Sequence, residues 1–308
     1  MATGLTPEQL TCFRRNGYLI IPSALRPATV AALLAETHAL LAGFSLADHP
    51  LTRFSTGEKS AHVGDDYFLS SGDKVRFFLE EDAFDAQGRL VRDKERAVNK
   101  IGHALHARSA PFRDLLDDGT ATARGEVSPA RVARALGFRD ARCLQSMVIC
   151  KQPEIGGAVP PHQDSTFLYT SPPSAVGFWY ALEDATLENG CLSFLPGSHR
   201  WAPVEKRLVR RPAGAGTEMA HNDGPRFPDG VEQKPEGVHH GDASYVPGEV
   251  KAGDLVLIHG NLLHKSERNT SSKGRIIYTF HIIEGEGTEY DQRNWLQPPE
   301  QGFTKLYA

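Results

Sequence analysis

A histidine and an aspartate two positions apart are the first residues of the chain that could do chemistry. His162 and Asp164 occur in the stretch 159–169, which is predicted to be extended. Side chains i and i+2 leave the same face of a β-strand, so both could reach one metal ion. Imidazole and carboxylate are the donors that hold non-haem Fe(II) and leave positions open for further ligands. A surface loop after Pro160 and Pro161 is the alternative, because the H-x-D pattern alone is weak.

A third donor and a positive charge occur about a hundred residues downstream. His264 lies between two predicted strands, 255–259 and 275–283, and Arg275 begins the second of them 11 residues later. The planar guanidinium of arginine binds a carboxylate through two parallel hydrogen bonds. Arg275 could therefore bind one end of a dicarboxylate while the other end chelates an iron held by the three donors. This combination is more specific than any of its parts.

The chain resembles a known family, the Fe(II)/2-oxoglutarate-dependent oxygenases of the phytanoyl-CoA dioxygenase type. The resemblance covers nearly the whole chain, in the blocks DYFLSSGDKVRFFLEEDAFD, NKIGHALHA, QSMVICKQP, HQDSTFLYT, ALEDATLENGCLSFLPGSH and RNWLQP. Its main departure is a longer segment at 201–250. The resemblance implies a double-stranded β-helix, Fe(II) bound by His162, Asp164 and His264, 2-oxoglutarate as co-substrate with its far carboxylate on Arg275, and O2 as oxidant.

The resemblance also implies which residues line the co-substrate pocket. The Lys100 ammonium would complement a carboxylate, and Met147 and Trp179 would lie against the co-substrate. From the residues alone, a solvated lysine and two core side chains are the alternatives. Ser266, two residues after the third ligand, is expected to hydrogen-bond the co-substrate carboxylate. Gln163, between the first two ligands, is expected to line the pocket through its backbone or its amide.

Four further histidines are interpreted as residues that do not bind the metal. His103 and His106 lie three apart in a stretch, 99–107, that is predicted to begin a helix or to lead into one, and no carboxylate accompanies them at ligand spacing. In the resembled family the PGSH turn, which here contains His199, does not bind iron. The HKSERN segment of that family identifies His264 as the ligand and leaves His259 beside it.

Capping residues and periodicity predict the elements around these side chains. Thr6, Pro7 and Gln9 predict a helix start, and with an amphipathic helix at 27–41 they place N-terminal helices within 6–43. Further predictions are a hairpin of 66–79 with the chain after Leu90, a helix at 127–136, and strands at 143–151, 176–182 and 192–195. This order predicts a mainly β, α+β fold, a cupin-like jelly roll with a helical flank.

Composition narrows the classes of partner. The 308 residues carry a net charge of −4, so nucleic acid is not expected as a partner. No apolar stretch has the length of a membrane span, and the N-terminus lacks a signal pattern. Four cysteines without metal-type spacing indicate reduced thiols in a cytoplasmic protein, with a disulfide pair as the alternative. We expect one enlarged domain over 1–308.

The segment 201–250 is rich in glycine, proline and histidine and has no sustained period, so it is predicted to be a long loop. Its start is basic because of Lys206, Arg207, Arg210 and Arg211. These residues could receive the phosphates of an acyl-CoA. A solvated run of charges is the plainer interpretation.

Together with these residues, the resemblance implies a dioxygenase that needs Fe(II), 2-oxoglutarate and O2, hydroxylates a C–H bond of a small-molecule substrate, and converts 2-oxoglutarate to succinate and CO2. Related halogenases have a small residue in place of the carboxylate ligand, so Asp164 favours oxygenation. Two alternatives belong to other classes. One is a jelly roll that binds iron and 2-oxoglutarate for sensing or binding without oxidising a substrate. The other is an interaction domain whose triad is inert.

Overall fold

The computed structural model describes residues 4–54, 65–212, 216–228, 231–234 and 244–307. Its helices are α1 (Pro7–Asn16), α2 (Pro27–Gly43), α3 (Asp66–Leu69), α4 (Lys94–Ala97), α5 (Leu105–Arg108), α6 (Ala110–Asp114), α7 (Asp118–Arg124) and α8 (Pro129–Leu136). Its strands are β1 (Tyr18–Ile21), β2 (Arg53–Phe54), β3 (Val75–Glu80), β4 (Val98–His103), β5 (Ala141–Lys151), β6 (Val159–His162), β7 (Thr170–Ser171), β8 (Val176–Ala181), β9 (Leu192–Phe194), β10 (Lys206–Arg210), β11 (Thr217–His221), β12 (Val246–Gly248), β13 (Leu255–His259), β14 (His264–Ser266), β15 (Arg275–Glu284), β16 (Glu289–Tyr290) and β17 (Thr304–Lys305).

Two sheets, almost entirely antiparallel, form the body of the protein. Within the described residues, the larger sheet has nine strands in the order β1-β13-β8-β15-β5-β4-β3-β2, with β17 paired to β5. The smaller sheet has the order β12-β9-β14-β6. Each sheet interleaves strands from distant parts of the chain, as a jelly roll does. The predicted double-stranded β-helix with a helical flank is therefore confirmed.

The N-terminal flank forms as its capping residues predict. The Thr6 hydroxyl accepts a hydrogen bond from the Gln9 N–H, and the Gln9 side chain accepts one from the Thr6 N–H. Helix α1 ends at Gly17, whose φ of 79° is a left-handed conformation that glycine adopts without steric cost. Strand β1 then pairs with β13 at the edge of the larger sheet. The predicted helices within 6–43 are confirmed, since α2 ends at Gly43.

The hydrophobic core lies between the helical flank and one face of the larger sheet. Leu33 of α2, Phe112 of α6 and Val132 of α8 belong to one buried cluster with Phe178 and Phe280 of the sheet. The rings of these two phenylalanines stack with their centroids 4.7 Å apart. Burial of each such side chain stabilises the fold by roughly 1.5–3 kcal/mol. The helices cover this outer face, so the other face of the sheet is left for the site.

The inner face of the larger sheet is partly polar. Residues directly opposite each other on neighbouring strands share a face of the sheet. Trp179, Thr279 and Met147 form one such row across β8, β15 and β5. Arg275 and Lys151 are likewise paired, at one end of β15 and β5. This face therefore brings charged and aromatic side chains together, and it looks toward the smaller sheet.

The predicted hairpin of 66–79 with the chain after Leu90 is wrong. Helix α3 begins instead at Asp66, and the side chain of its N-cap residue Asp65 accepts a hydrogen bond from the Phe68 N–H at 2.7 Å. Strand β3 pairs with β4. An isolated bridge between Phe84 and Leu90 closes a turn around residues 86–88, where the sequence predicts one. The turn residues are a local feature, whereas the partner of β3 is set by long-range packing.

The stretch 99–107, predicted to begin a helix, is mostly strand. Strand β4 takes Val98–His103, and the short α5 follows from Leu105. Five of the six β4 residues are buried. A strand buried on both faces loses the alternation that distinguishes it from a helix, so the period was uninformative here.

The prediction of a long loop at 201–250 is wrong for much of its described part. Strands β10 and β11 form an antiparallel hairpin in register from Lys206↔His221 to Arg210↔Thr217, and β12 joins β9 in the smaller sheet. Arg207 hides the strand pattern of β10, because it is a charged residue at a buried position. Its guanidinium pairs with Asp291 at 2.7 Å.

Among the described residues, no helix has both the length and the apolar character that a membrane crossing would require.

The buried ring of Phe178 provides a test of the core. Phe178→Ala should lower the free energy of unfolding by about 3–5 kcal/mol, because the loss of the ring leaves a cavity between α-helices and sheet. Val91→Ala, at a position that is 56% exposed, should change it by less than about 0.5 kcal/mol. Urea unfolding of the two variants measures the difference, and equal stabilities would contradict this description of the core.

Candidate functional site

Three potential metal ligands converge where the smaller sheet faces the larger one. His162 ends β6 and His264 begins β14, and the two residues are paired directly in the antiparallel register. Asp164 Oδ1 lies 3.6 Å from His162 Nε2 and 3.8 Å from His264 Nε2. One ligand atom from each residue lies within 4.8 Å of the other two, which is close enough for a shared ion. Among the described residues, this is the only group of three or more His, Cys, Asp or Glu with that geometry.

The expectation that His162 and Asp164 share one face of a continuous strand is wrong. Strand β6 ends at His162, and Asp164 begins a 3-10 turn, Asp164–Thr166. The Ser165 N–H donates to the Gly260 carbonyl at 2.9 Å, which fixes this turn against the loop before β14. The carboxylate therefore reaches the imidazoles through a turn, and the pairing of β6 with β14 brings the two histidines together.

Backbone carbonyls orient both imidazoles. His162 Nδ1 lies 2.9 Å from the Pro160 carbonyl oxygen, and His264 Nδ1 lies 3.0 Å from that of Leu262. A ring whose Nδ1–H donates to a carbonyl presents an unprotonated Nε2, and such outer contacts are typical of metal-binding histidines. Both Nε2 atoms face the Asp164 carboxylate. The two rings are thus held in the tautomer and the direction that metal binding needs.

The protonation states also suit a metal. Burial alone would raise the pKa of Asp164, but His281 and His264 beside it hold this pKa well below its usual range. Burial and the neighbouring His162 lower the pKa of His264 to about 4. At neutral pH the site therefore offers a carboxylate and a neutral imidazole. Two imidazole nitrogens and one carboxylate oxygen are a donor set that fits Fe(II).

His281 is a residue of this site that the sequence did not indicate. It lies on β15 of the larger sheet, and its Nε2 is 3.2 Å from Asp164 Oδ2. A histidine in an apolar strand is typical of a core residue, and its partner Asp164 is distant in sequence. His281 thus lies beside the oxygen of Asp164 that does not face the other two imidazoles, and the larger sheet also borders the carboxylate.

Arg275 is buried at the beginning of β15. Its Nη1 donates to the Gly190 carbonyl at 2.7 Å, and its guanidinium carbon lies 5.2 Å from the centroid of the Trp179 ring. Its Nε is buried without a hydrogen-bond partner. Burial lowers the pKa of Arg275 to about 10, so the guanidinium remains charged at neutral pH. Within the described chain no carboxylate forms an ion pair with it, which leaves its charge for a ligand.

The other predicted pocket residues lie on the same inner faces. Lys100 is buried on β4, and burial lowers its pKa to about 7. Met147 is buried on β5, with its Cγ 3.1 Å from where a Cβ at Gly102 would stand. Ser266, on β14, accepts a hydrogen bond from Lys151 Nζ at 2.8 Å. The sequence interpretation did not include Lys151.

Gln163 was expected to line the pocket through its backbone or its amide, and this stays a prediction. Its Nε2 donates to the carbonyl oxygens of Ala202 and Asn261, at 2.9 and 2.7 Å. The amide is therefore used to hold two loops together beside the metal ligands.

The four histidines interpreted as lacking a metal role are bonded elsewhere. His103 Nδ1 contacts the Ser71 hydroxyl at 2.7 Å, and His106 Nδ1 contacts the Ser146 hydroxyl at 2.8 Å. The other two, His199 and His259, face each other with ring centroids 4.8 Å apart. Burial lowers the pKa of His259 to about 3. These contacts agree with a structural role.

The basic residues near 206 do not form a free cationic patch. Arg207 is buried against Asp291, and Arg210 donates from Nε to the Trp295 carbonyl oxygen at 2.7 Å. Arg211 pairs with Glu218 at 3.6 Å. Both earlier interpretations, a phosphate site and a solvated charge run, fail for Arg207 because its charge is already neutralised inside the fold.

The sequence and the fold of this chain are similar to those of known proteins. The family described as Phytanoyl-CoA dioxygenase (PhyH) matches residues 13–277. Phytanoyl-CoA dioxygenase domain-containing protein 1 of Bos taurus is 43% identical over 311 residues, covering 99% of each chain. The crystal structure of the non-heme alpha-ketoglutarate-dependent carbocyclase SnoK superposes with a TM-score of 0.59 at 20% identity, covering 98% of this chain and 97% of that one. EctD from S. alaskensis, crystallised with 2-oxoglutarate and 5-hydroxyectoine, superposes with a TM-score of 0.55 at 19% identity, covering 92% of this chain and 78% of that one. At these identities the two structures are similar to this chain in fold.

His281 offers a test of how the carboxylate is held. His281→Ala should weaken Fe(II) binding by roughly 10- to 100-fold, because loss of a contact behind a ligand typically costs that much. His259→Ala, which removes a buried histidine that contacts His199 instead, should leave the affinity within about twofold. Anaerobic calorimetric titration measures both. Equal affinities for wild type and His281→Ala would show that Asp164 needs no such support.

Proposed function

The chain belongs to the phytanoyl-CoA dioxygenase (PhyH) family, and from that premise we propose that it hydroxylates a C–H bond of a small organic molecule. In this reaction 2-oxoglutarate would be converted to succinate and CO2. The cofactors are those of a 2-oxoglutarate-dependent non-haem iron dioxygenase: Fe(II), 2-oxoglutarate and O2. The observation that best supports the proposal is the convergence of His162, Asp164 and His264 within 4.8 Å.

The three convergent residues are proposed to hold the iron on one face. Fe(II), when bound, supplies the activation of O2. The residues of the chain supply the geometry around it. The carbonyls of Pro160 and Leu262 keep both Nε2 atoms directed at the ion. His281 keeps the carboxylate from rotating away, through its contact with Asp164 Oδ2.

Arg275 is proposed to bind the far carboxylate of 2-oxoglutarate. A buried guanidinium without a carboxylate partner is unfavourable, and a dianionic ligand would neutralise it. The Nε of Arg275 is buried and unbonded, and its Nη1 is already held by Gly190. This contact fixes the direction of the fork before the ligand arrives, so little side-chain entropy is lost on binding.

We propose roles for the remaining pocket residues from the polarity and charge of their side chains. Ser266, on the same strand as His264, would add a hydroxyl to the carboxylate end. Met147 and Trp179 would form apolar walls that exclude water, and Trp179 also stacks near the Arg275 guanidinium. Lys100 would add a positive charge to a pocket that receives a dianion. Exclusion of water strengthens each of these electrostatic contacts.

A small organic substrate agrees with the family, whereas an acyl-CoA receives no added support from this chain. The basic residues at the start of 201–250 include Arg207 and Arg210, which are bonded inside the fold. A location in the cytoplasm stays a prediction, in agreement with the four free cysteines.

Turnover tests the proposed reaction. Wild type incubated with a metabolite extract should form succinate only when Fe(II), O2 and 2-oxoglutarate are all present. Asp164→Ala should abolish this, because the iron loses its only carboxylate ligand. Asp73→Ala, at a half-buried residue that pairs with Lys74, should retain it. Tight binding of iron and 2-oxoglutarate without succinate formation under any substrate mixture would favour a sensing protein instead.

Arg275 permits a second test, specific to the co-substrate. Arg275→Met should raise the KM for 2-oxoglutarate roughly 10- to 100-fold, since hydrogen bonds to charged groups contribute about 1.5–3 kcal/mol. Arg139→Met removes an exposed arginine that pairs with Glu286 and serves as the control. Steady-state succinate assays at varied 2-oxoglutarate give both values. An unchanged KM in Arg275→Met would place the far carboxylate elsewhere.

A further inference from the structure

We propose that Lys151 is a positioning residue for the co-substrate, which directs the Ser266 hydroxyl toward the far carboxylate of 2-oxoglutarate and adds a second positive charge beside Arg275. This inference rests on the proposed function. Lys151 is not a metal ligand, and it is not adjacent in sequence to any of the three metal ligands.

Lys151 connects the two sheets at the carboxylate end of the pocket. It is the last residue of β5 and is paired in register with Arg275, so both side chains leave the same face of the larger sheet. Its Nζ donates to Ser266 Oγ at 2.8 Å and also to the Glu267 carbonyl oxygen. Both acceptors belong to the chain at the end of β14, in the smaller sheet. The lysine therefore joins the strand pair of Arg275 to the strand of His264.

The direction of the Lys151–Ser266 hydrogen bond determines what Ser266 can do. An ammonium can only donate, whereas a serine hydroxyl has one hydrogen and two lone pairs. Because Lys151 occupies a lone pair of Ser266 Oγ, the Ser266 hydrogen is left to donate to another acceptor. Ser266 is two residues from His264 on β14, so both side chains lie on one face. An anionic oxygen bound beside Arg275 is an acceptor for that hydrogen.

Two glycines make room for the lysine stem. A Cβ at Gly156 would stand 2.5 Å from Lys151 Cγ, and one at Gly190 would stand 2.9 Å from Cδ and 3.0 Å from Nζ. Gly190 also has a φ of 80°, in the left-handed region. Its carbonyl accepts from Arg275 Nη1. One turn of the chain thus positions both cations, which indicates a built site rather than a chance contact.

The charges around Lys151 leave room for an anion. Burial and the nearby Arg275 lower the pKa of Lys151 to about 7, while Glu80, Glu267 and Cys191 act in the opposite direction. Within the described residues, no carboxylate oxygen lies within ion-pair distance of its Nζ. Glu267 pairs with Lys265 at 2.7 Å instead, and burial raises the pKa of Glu80 to about 7. Two neighbouring buried cations repel each other, and a dianion would relieve that repulsion.

A purely structural role is the competing explanation, since Lys151 also ties β5 to β14. The two explanations differ in which ligand is bound less tightly after Lys151 is substituted. A structural lysine would affect any 2-oxo acid alike. A residue that acts on the far carboxylate should matter for 2-oxoglutarate and not for 2-oxobutyrate, which lacks that group.

The test measures the affinity of the anaerobic Fe(II) protein for these two acids by calorimetry. Lys151→Met should weaken 2-oxoglutarate roughly 10- to 100-fold and leave 2-oxobutyrate within about twofold. Lys151→Gln, whose amide can still donate to Ser266 without a charge, should give a smaller loss. Lys251→Met, which removes an exposed lysine paired with Asp184, should leave both affinities unchanged. Thermal unfolding confirms that each variant is folded.

The role of Ser266 is tested by a double-mutant cycle with Lys151→Met and Ser266→Ala. If Lys151 acts through the hydroxyl, the double variant should lose clearly less 2-oxoglutarate affinity than the product of the single losses. Independent losses, an equal loss for both acids, or no loss in Lys151→Met and Lys151→Gln would each overturn the proposal. A wild type that binds no 2-oxoglutarate at all would instead contradict the proposed function.

Discussion

A buried carboxylate between three imidazoles is the interaction on which the rest of the site depends. Asp164 is 8% exposed, and a carboxylate at such a position is unfavourable unless charges or hydrogen bonds compensate for the lost water. His162 and His264 approach it from the smaller sheet and His281 from the larger one. The two sheets must therefore be in the right register before the carboxylate can be buried, which links the architecture of the barrel directly to its chemistry.

Three basic side chains lie on the inner face of the larger sheet. Lys100, Lys151 and Arg275 are buried, and burial lowers the pKa of all three. In the proposed complex these three side chains would receive the far carboxylate of 2-oxoglutarate, and the metal ligands would hold the iron that its other end chelates. Because water is largely excluded, these charges act over short distances with little screening. The inner face also bears Met147 and Trp179, which are both buried.

Local sequence patterns predicted the features that depend on neighbouring residues. The Thr6 cap, the H-x-D pair and the strand that begins at Arg275 were all visible in this way. The contribution of His281 was not, because a histidine in an apolar strand is usually a core residue and its partner Asp164 is distant in sequence. Lys151 was also missed, because its partner Ser266 is distant in sequence. Strand β4 was mistaken for a helix because its two faces are both buried and its alternation is lost.

The central claim is that His162, Asp164 and His264 hold one iron. Anomalous diffraction from crystals soaked anaerobically in Fe(II) tests it most directly, because the iron itself is located. The account predicts one strong peak per chain within bonding distance of two Nε2 atoms and a carboxylate oxygen. A peak at His199 and His259, or no ordered peak between the three proposed ligands, would contradict it.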